Sequence, residues 1–188
     1  MPSTPAARPA SGVAELADLT DALALVRTVP DFPEPGVLFR DLNPVFADPG
    51  ALRAVIDEMA ARLPSDVAVI AAVEARGFLL GGAIAVARGC GLVPIRKPGK
   101  LPVVADRVDY ALEYGHATLE LPGGVLDPGA KVAVVDDVLA TGGTVAAVCQ
   151  LVERAGATVS VVSVVLELAA LGGRDRLPGR DVHALRTI

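Results

Sequence analysis

Apolar positions along this chain recur in two rhythms, one helical and one continuous. Val13, Leu16, Leu19, Leu23 and Val26 share one face at helical spacing, which predicts a helix over 13–29 ended by Pro30. Asp48 before Pro49 signals a second helix start, with Leu52, Val55, Ile56, Met59 and Leu63 as its buried stripe and Pro64 as its stop. A glycine-rich helix is expected from Leu79 to about Arg88, and another over 144–155 with Gly156 as its C-terminal cap. Between the helices, uninterrupted apolar runs of strand length occupy 67–73, 92–95 and 132–135, and 157–168 reads as a further, mainly apolar strand. Runs of that kind suit strands covered on both faces, as in a parallel sheet. Residues 117–121 alternate as a strand, and the C-terminal stretch 172–188 reads as a loop with a short closing strand. The pattern therefore predicts an α/β fold with a central, mainly parallel sheet flanked by helices. Two stretches resist it. Residues 31–44 hold three prolines and a glycine and exclude regular helix or a central strand, leaving a rigid loop. Residues 103–115 show no sustained period, as expected of a lid or flexible loop.

Composition narrows this picture. A chain of 188 residues is one domain by length, taken as 13–188, with residues 1–12 expected to be a disordered tail. Hydrophobic residues make up 52% and aromatics only 3%, so the core must be built from Val, Leu, Ala and Ile. A net charge of −5 argues against a general nucleic-acid or membrane surface. No signal-peptide core and no membrane-length apolar run are found, which predicts a cytoplasmic protein. Cys90 and Cys149 form no C-x-x-C pair and read as small buried hydrophobes. His183 reads as structural. Positive charge is concentrated locally, because Lys97 and Lys100, two of only three lysines, flank a turn beside Arg96.

The most informative chemistry lies at Lys131 to Thr144, Lys-Val-Ala-Val-Val-Asp-Asp-Val-Leu-Ala-Thr-Gly-Gly-Thr. An apolar strand runs into two carboxylates and then into small residues that open a helix. Two glycines free the backbone to turn N–H groups inward, and the helix adds its unpaired N–H groups and positive dipole end. That end suits a phosphate. Asp136 and Asp137 would repel a phosphate but accept hydrogen bonds from sugar hydroxyls, so a sugar phosphate satisfies both halves. No lysine of a nucleotide-binding P-loop and no G-x-G-x-x-G fingerprint accompanies the stretch.

Val-Val-Asp-Asp-Val-Leu-Ala-Thr-Gly-Gly-Thr resembles the phosphoribosyl pyrophosphate (PRPP) motif of type I phosphoribosyltransferases. That resemblance implies that Asp136 and Asp137 hold the ribose and that Ala140, Thr141, Gly142, Gly143 and Thr144 bind the 5′-phosphate. Three other strings match the family in its order. Glu74-Ala-Arg-Gly-Phe follows the second apolar run, at a strand-to-helix turn where open parallel sheets place ligands. On spacing alone Glu74 and Arg76 read as a surface ion pair, whereas the resemblance makes Ala75, Arg76 and Gly77 contacts to pyrophosphate. Arg96-Lys-Pro-Gly-Lys-Leu-Pro is similar to the family's basic loop, implying that Arg96, Lys97 and Lys100 draw in PRPP and offset charge on departing pyrophosphate. In relatives such an arginine reaches across a dimer interface. Tyr110-Ala-Leu-Glu-Tyr-Gly looks like the mobile hood, with Tyr110 and Tyr114 in the hood and Glu113 as its general acid or base.

The base is addressed by Phe32-Pro-Glu-Pro-Gly-Val-Leu-Phe-Arg-Asp, which is similar to the adenine-recognition loop found within the family. By that resemblance the backbone around Leu38 and Arg40 pairs with the purine edge, Phe39 packs on the ring and Leu168 forms an apolar wall. An amide N–H and C=O complement a 6-amino purine, while a 6-oxo purine would oppose acceptor to acceptor. The resemblance thus implies a type I phosphoribosyltransferase-like fold with a small hood and a homodimer that takes adenine and PRPP to AMP and pyrophosphate in purine salvage. Mg²⁺ would be bound mainly through PRPP and pyrophosphate oxygens and water, with no direct protein ligand. Transfer to another purine such as xanthine, and a non-catalytic PRPP-sensing regulator, stay open at this point.

Overall fold

Valine-rich segments without polar alternation form the strands of one all-parallel sheet, because each must be covered on both faces. The computed structural model describes residues 18–111 and 116–188. The described elements are α1 (Leu19–Ala24), β1 (Arg27–Pro30), β2 (Leu38–Asp41), α2 (Asn43–Ala47), α3 (Pro49–Arg62), β3 (Val69–Val73), α4 (Arg76–Arg88), β4 (Gly91–Ile95), β5 (Val104–Ala111), β6 (His116–Pro122), β7 (Lys131–Leu139), α5 (Gly143–Arg154), β8 (Thr158–Glu167) and β9 (Val182–Thr187). Short 3-10 turns at Ala169–Leu171 and Gly173–Arg176 precede β9. The chain divides into two compact units, one ending at Ala54 and the other spanning Val55–Ile188.

In the second unit the sheet runs β4-β3-β7-β8-β9, with every neighbouring pair parallel. Strand alternation divides its side chains between two helical layers. Val132 and Val134 join Val145, Val148, Leu151 and Val152 of α5 in one cluster, all at most 2% exposed. Truncating a fully buried leucine such as Leu151 to alanine would cost about 2–5 kcal/mol. On the other face α4 lies close to β3, since a Cβ at Gly81 would stand only 2.6 Å from the Ala72 Cβ. The antiparallel pair β5-β6 adds Val108, Leu119 and Leu121 to the α5 cluster. All five strands therefore deliver their C-terminal ends to one edge, where β3 and β7 are neighbours.

In the first unit, the helix expected over 13–29 is found only as Leu19–Ala24, and residues 1–17 lie outside those described. Residues 27–30 instead pair antiparallel with β2, from Arg27↔Asp41 to Pro30↔Leu38. β-Branched Thr28 and Val29 favour that pairing, and Arg27 closes it with a 2.5 Å ion pair to buried Asp41. The rigid loop expected over 31–44 is thus mainly the turn of a hairpin. Its end at Asn43 and Pro44 is helical after all, because proline is tolerated in a first turn. α3 starts where Asp48 predicted it, with Ala51 N donating to Asp48 Oδ1 at 2.8 Å, a cap worth about 1 kcal/mol.

Three further expectations shift. Residues 104–111 are a strand rather than irregular, with buried Val108 between exposed Arg107 and Asp109. The bulge between Val104 and Asp106 breaks the period that would have revealed it. α4 begins at Arg76, ahead of the expected Leu79, and β7 continues past Val135 through both aspartates to Leu139. Cys149 is buried as expected, its thiol pushed up to about 11 by burial, but Cys90 is only half-buried.

Candidate active site

The extension of β7 through Asp136 and Asp137 sets the geometry of the site, because consecutive strand residues face opposite ways. Asp136 lines the cavity at the start of α5, its Oδ1 also lying 3.2 Å from where a Cβ on Gly77 of α4 would stand, and Asp137 meets Arg76, the first residue of α4. Arg76 Nε stands 2.8 Å from Asp137 Oδ2. Asp136 Oδ1 accepts from the Asp137 backbone N–H at 2.9 Å. Burial, and then the charge of Asp137, hold the Asp136 carboxyl well above the usual carboxylate range. Burial also raises Asp137, against the lowering influence of Arg76. One guanidinium stands against two carboxyl groups here, so this end of the sheet holds more carboxyl groups than cations.

Asp136, Val138, Leu139, Ala140, Thr141, Gly142, Gly143, Thr144 and Val145 line a cavity of about 70 Å³ at the start of α5. Gly142 occupies the N-cap with φ +80° and no side chain caps the helix. The helix start therefore presents its backbone N–H donors and dipole without a built-in carboxylate. Glycine is required at Gly142 twice over, by its positive φ and because an added Cβ would lie 2.3 Å from Gly173 O. Reciprocally, a Cβ at Gly173 would lie 2.3 Å from Ala140 O, so the turn before β9 props the loop from behind. Thr144 Oγ1 donates to Tyr110 Oη at 3.2 Å, tying β5 to the cavity rim. Leu168, half-buried, donates its backbone N–H to Leu139 O at 2.9 Å and so sits beside the same rim.

At the end of β3 the charge balance is reversed. The Glu74–Ala75 peptide is cis, Ala75 is the N-cap of α4 and Gly77 is buried against Val135 O, 2.9 Å from where its Cβ would be. Glu74 and Arg76 do not pair with each other. Glu74, with its side chain 8% exposed, binds Lys100 Nζ through Oε1. Its Oε2 accepts from Arg96 Nε at 3.3 Å and from the Lys97 backbone N–H at 3.0 Å. Arg96 also donates from Nη1 to Lys100 O at 3.3 Å and lies 5.8 Å above the Phe78 ring. Burial alone would raise the Glu74 carboxyl, but the Lys100 and Lys97 hydrogen bonds and the charges of Lys100 and Arg96 outweigh it, leaving it below its ordinary value. Sequence reasoning missed Glu74 and Gly173 as parts of the site. The signal for Glu74 was its place at the end of an apolar run opposite a lone basic cluster; Gly173 left no signal beyond a Gly-Gly pair.

Three of the four residues assigned to the purine lie in the first unit, on β2, while Leu168 follows β8 in the second. Leu38 is 55% exposed, Phe39 is half-buried and meets Phe32 edge-to-face at 5.0 Å, and Arg40 bonds Thr28 Oγ1. The turn is tied by Gly36 N donating to Asp31 Oδ1 at 2.7 Å. Glu113 and Tyr114 lie outside the described residues. Glu167, beside Leu168, is engaged by Arg174 through two bonds of 2.6 and 2.8 Å, a structural tie between β8 and the turn before β9.

Comparison with known proteins supplies the remaining evidence. The phosphoribosyl transferase domain family matches residues 47–177. An adenine phosphoribosyltransferase of Saccharopolyspora erythraea is 60% identical over 171 residues, covering 91% of this chain and 93% of that protein. The crystal structure of adenine phosphoribosyltransferase from Thermoanaerobacter pseudethanolicus superposes with a TM-score of 0.87 at 42% identity, over 90% of this chain and 99% of that one. The Saccharomyces cerevisiae enzyme, solved with D-2,5-dideoxy-2,5-imino-altritol 1,6-bisphosphate and adenine, gives a TM-score of 0.83 at 35% identity, over 89% of this chain and 98% of that one.

Proposed function

The chain belongs to the phosphoribosyltransferase family, and we infer that it transfers the phosphoribosyl group of PRPP to adenine, forming AMP and pyrophosphate. The observation that carries this reading is the uncapped α5 cavity with the Asp136 carboxyl in its wall and Asp137 next along the strand, which sets a phosphate end and a hydroxyl-binding end within one loop. Asp136 and Asp137 accept the ribose hydroxyls, and the 140–144 backbone holds the 5′-phosphate. Arg76, Arg96, Lys97 and Lys100 face the leaving pyrophosphate and offset charge that grows as the glycosidic bond breaks. The β2 backbone at Leu38 and Arg40 reads the 6-amino edge of the purine, with Phe39 and Leu168 as apolar faces. Glu113 takes the proton that the attacking purine nitrogen must lose.

Among the described residues no group of three or more His, Cys, Asp or Glu is arranged to hold a metal ion. We propose that Mg²⁺ arrives with PRPP and is held by its oxygens and water, where it would neutralise the departing diphosphate. A second copy of the chain covers the outward face of α4 and edge strand β4, where Leu79, Val86 and Leu92 are 58%, 85% and 43% exposed. Light scattering on wild type and on Val86→Lys checks this homodimer: dissociation in the variant supports the face, and an unchanged mass rejects it. No helix among the described residues is long and apolar enough to cross a membrane, and we place the protein in the cytoplasm. The function is tested with a panel of bases, PRPP and Mg²⁺. Adenine should be the preferred acceptor, with stoichiometric pyrophosphate; preference for hypoxanthine, guanine or xanthine overturns the β2 assignment, and PRPP binding without pyrophosphate release overturns catalysis.

A further inference from the structure

The basic loop after β4 is not a set of free cations. Its three positive side chains, Arg96, Lys97 and Lys100, lie within five positions and would repel one another in an open turn. Glu74, in the turn directly after the neighbouring strand β3, collects two of them and the Lys97 amide on one carboxylate whose side chain is only 8% exposed. We propose that Glu74 is a positioning residue for pyrophosphate, its carboxylate holding Arg96 and Lys100 in place as a clamp before the ligand arrives. This rests on the assignment of the basic loop to pyrophosphate.

The bonding pattern favours a template over a competitor for the cations. Glu74 takes Arg96 by Nε, while Nη1 goes to Lys100 O and the ring of Phe78 backs the guanidinium. The Nη2 edge carries none of these bonds, and Lys100 has further ammonium hydrogens beyond the one given to Glu74. Arg96 and Lys100 remain 32% and 47% exposed while Glu74 is 8% exposed, so the anion is hidden and the cations face outward. Long basic side chains lose much of their rotamer freedom when fixed. Glu74 meets that cost during folding, so pyrophosphate does not meet it on binding.

The experiment measures binding of inorganic pyrophosphate and of AMP in magnesium buffer by calorimetry, together with PRPP KM and kcat. Arg96→Gln and Lys100→Gln come first: if neither weakens pyrophosphate, the assignment of the loop fails whatever Glu74 does. Given that they do, Glu74→Gln should weaken pyrophosphate about tenfold, the scale of one charge-assisted hydrogen bond. PRPP KM should rise with it, AMP affinity should stay unchanged, and Glu74→Gln added to Lys100→Gln should cost less than it does alone. Glu74→Asp keeps the charge but is too short to reach both cations, and should fall between wild type and Glu74→Gln. It also serves if Glu74→Gln does not fold. Pyrophosphate binding that is unchanged or tighter in these variants makes Glu74 a competitor and overturns the proposal. Equal losses for AMP and pyrophosphate reduce it to general structural support and overturn it as well.

Discussion

The ends of β3 and β7 lie side by side, each carries buried carboxylate, and each is balanced in the opposite sense. At β7 two aspartates share Arg76, and both carboxyls are raised. At β3 one glutamate holds two cations and an amide, and its carboxyl is lowered. A surplus of acceptors suits neutral hydroxyls, and a surplus of donors suits an anion. In the proposed function, a substrate with a ribose next to a diphosphate meets that gradient across two adjacent strands. The site is therefore a division of labour set by counter-ion count, more than by the residue types taken singly.

The largest expected effect breaks the site without touching either carboxylate centre. Gly142→Ala would place a Cβ 2.3 Å from Gly173 O in a backbone with φ +80°. Displacing the phosphate loop by about 1 Å should lower kcat/KM on the order of a hundredfold. Steady-state kinetics with PRPP checks this, and near-wild-type turnover would show that the loop adjusts and that Gly173 is no fixed prop. Next comes Asp137→Asn, which replaces one acceptor oxygen by a donor and removes the negative charge that Arg76 Nε meets at 2.8 Å. PRPP affinity should fall about ten- to hundredfold, the range for hydrogen bonds to charged groups, with calorimetry as the measurement. Unchanged affinity would move ribose binding away from β7.

Much of this was legible in the chain because uninterrupted Val runs can only be doubly covered strands. The order of strands and helices and the string from Val134 to Thr144 carried the fold and the phosphate end. What stayed hidden depends on pairing across the sequence. Arg27–Pro30 reads as the end of a helix until Asp41 is opposite Arg27. β5 reads as loop because a bulge shifts its alternation and its outward positions are charged. Glu74 and Arg76, two residues apart, look like partners, yet strand-end geometry sends each to a different neighbour. Spacing reveals which residues share an element; it does not reveal which charges meet.

Opposed charge balance also predicts opposed stability effects. Asp136 has a raised carboxyl, so its ionised form is costly above that value and protonation stabilises the fold as pH falls toward the unfolded value near 3.9, an approximate reference. Asp136→Asn should raise the urea midpoint at neutral pH and lose that advantage in acid, even as PRPP binding suffers. Glu74 has a lowered carboxyl, so its contribution is fully present above about 4.3 and is lost as pH falls through the depressed folded value. Glu74→Gln should lower the midpoint at neutral pH, with the difference fading in acid. Shifts of the same sign in both variants would mean that packing, rather than counter-ion balance, governs the two strand ends.

The smallest expected effect tests whether any lowered carboxyl would behave like Glu74. Glu153 is also lowered, chiefly by its hydrogen bond from Arg180, through bonds of 2.7 and 3.0 Å, but it lies on α5 away from the strand ends. Its side chain is 45% exposed, so solvent screens the pair. Glu153→Gln should cost no more than about 1 kcal/mol of stability and leave pyrophosphate and PRPP affinity at wild-type values. Urea denaturation and calorimetry on the same preparation read both quantities. A weakened PRPP affinity in Glu153→Gln would show that the site responds to overall charge; an unchanged one, beside a loss in Glu74→Gln, ties the effect to the carboxylate that holds the basic loop.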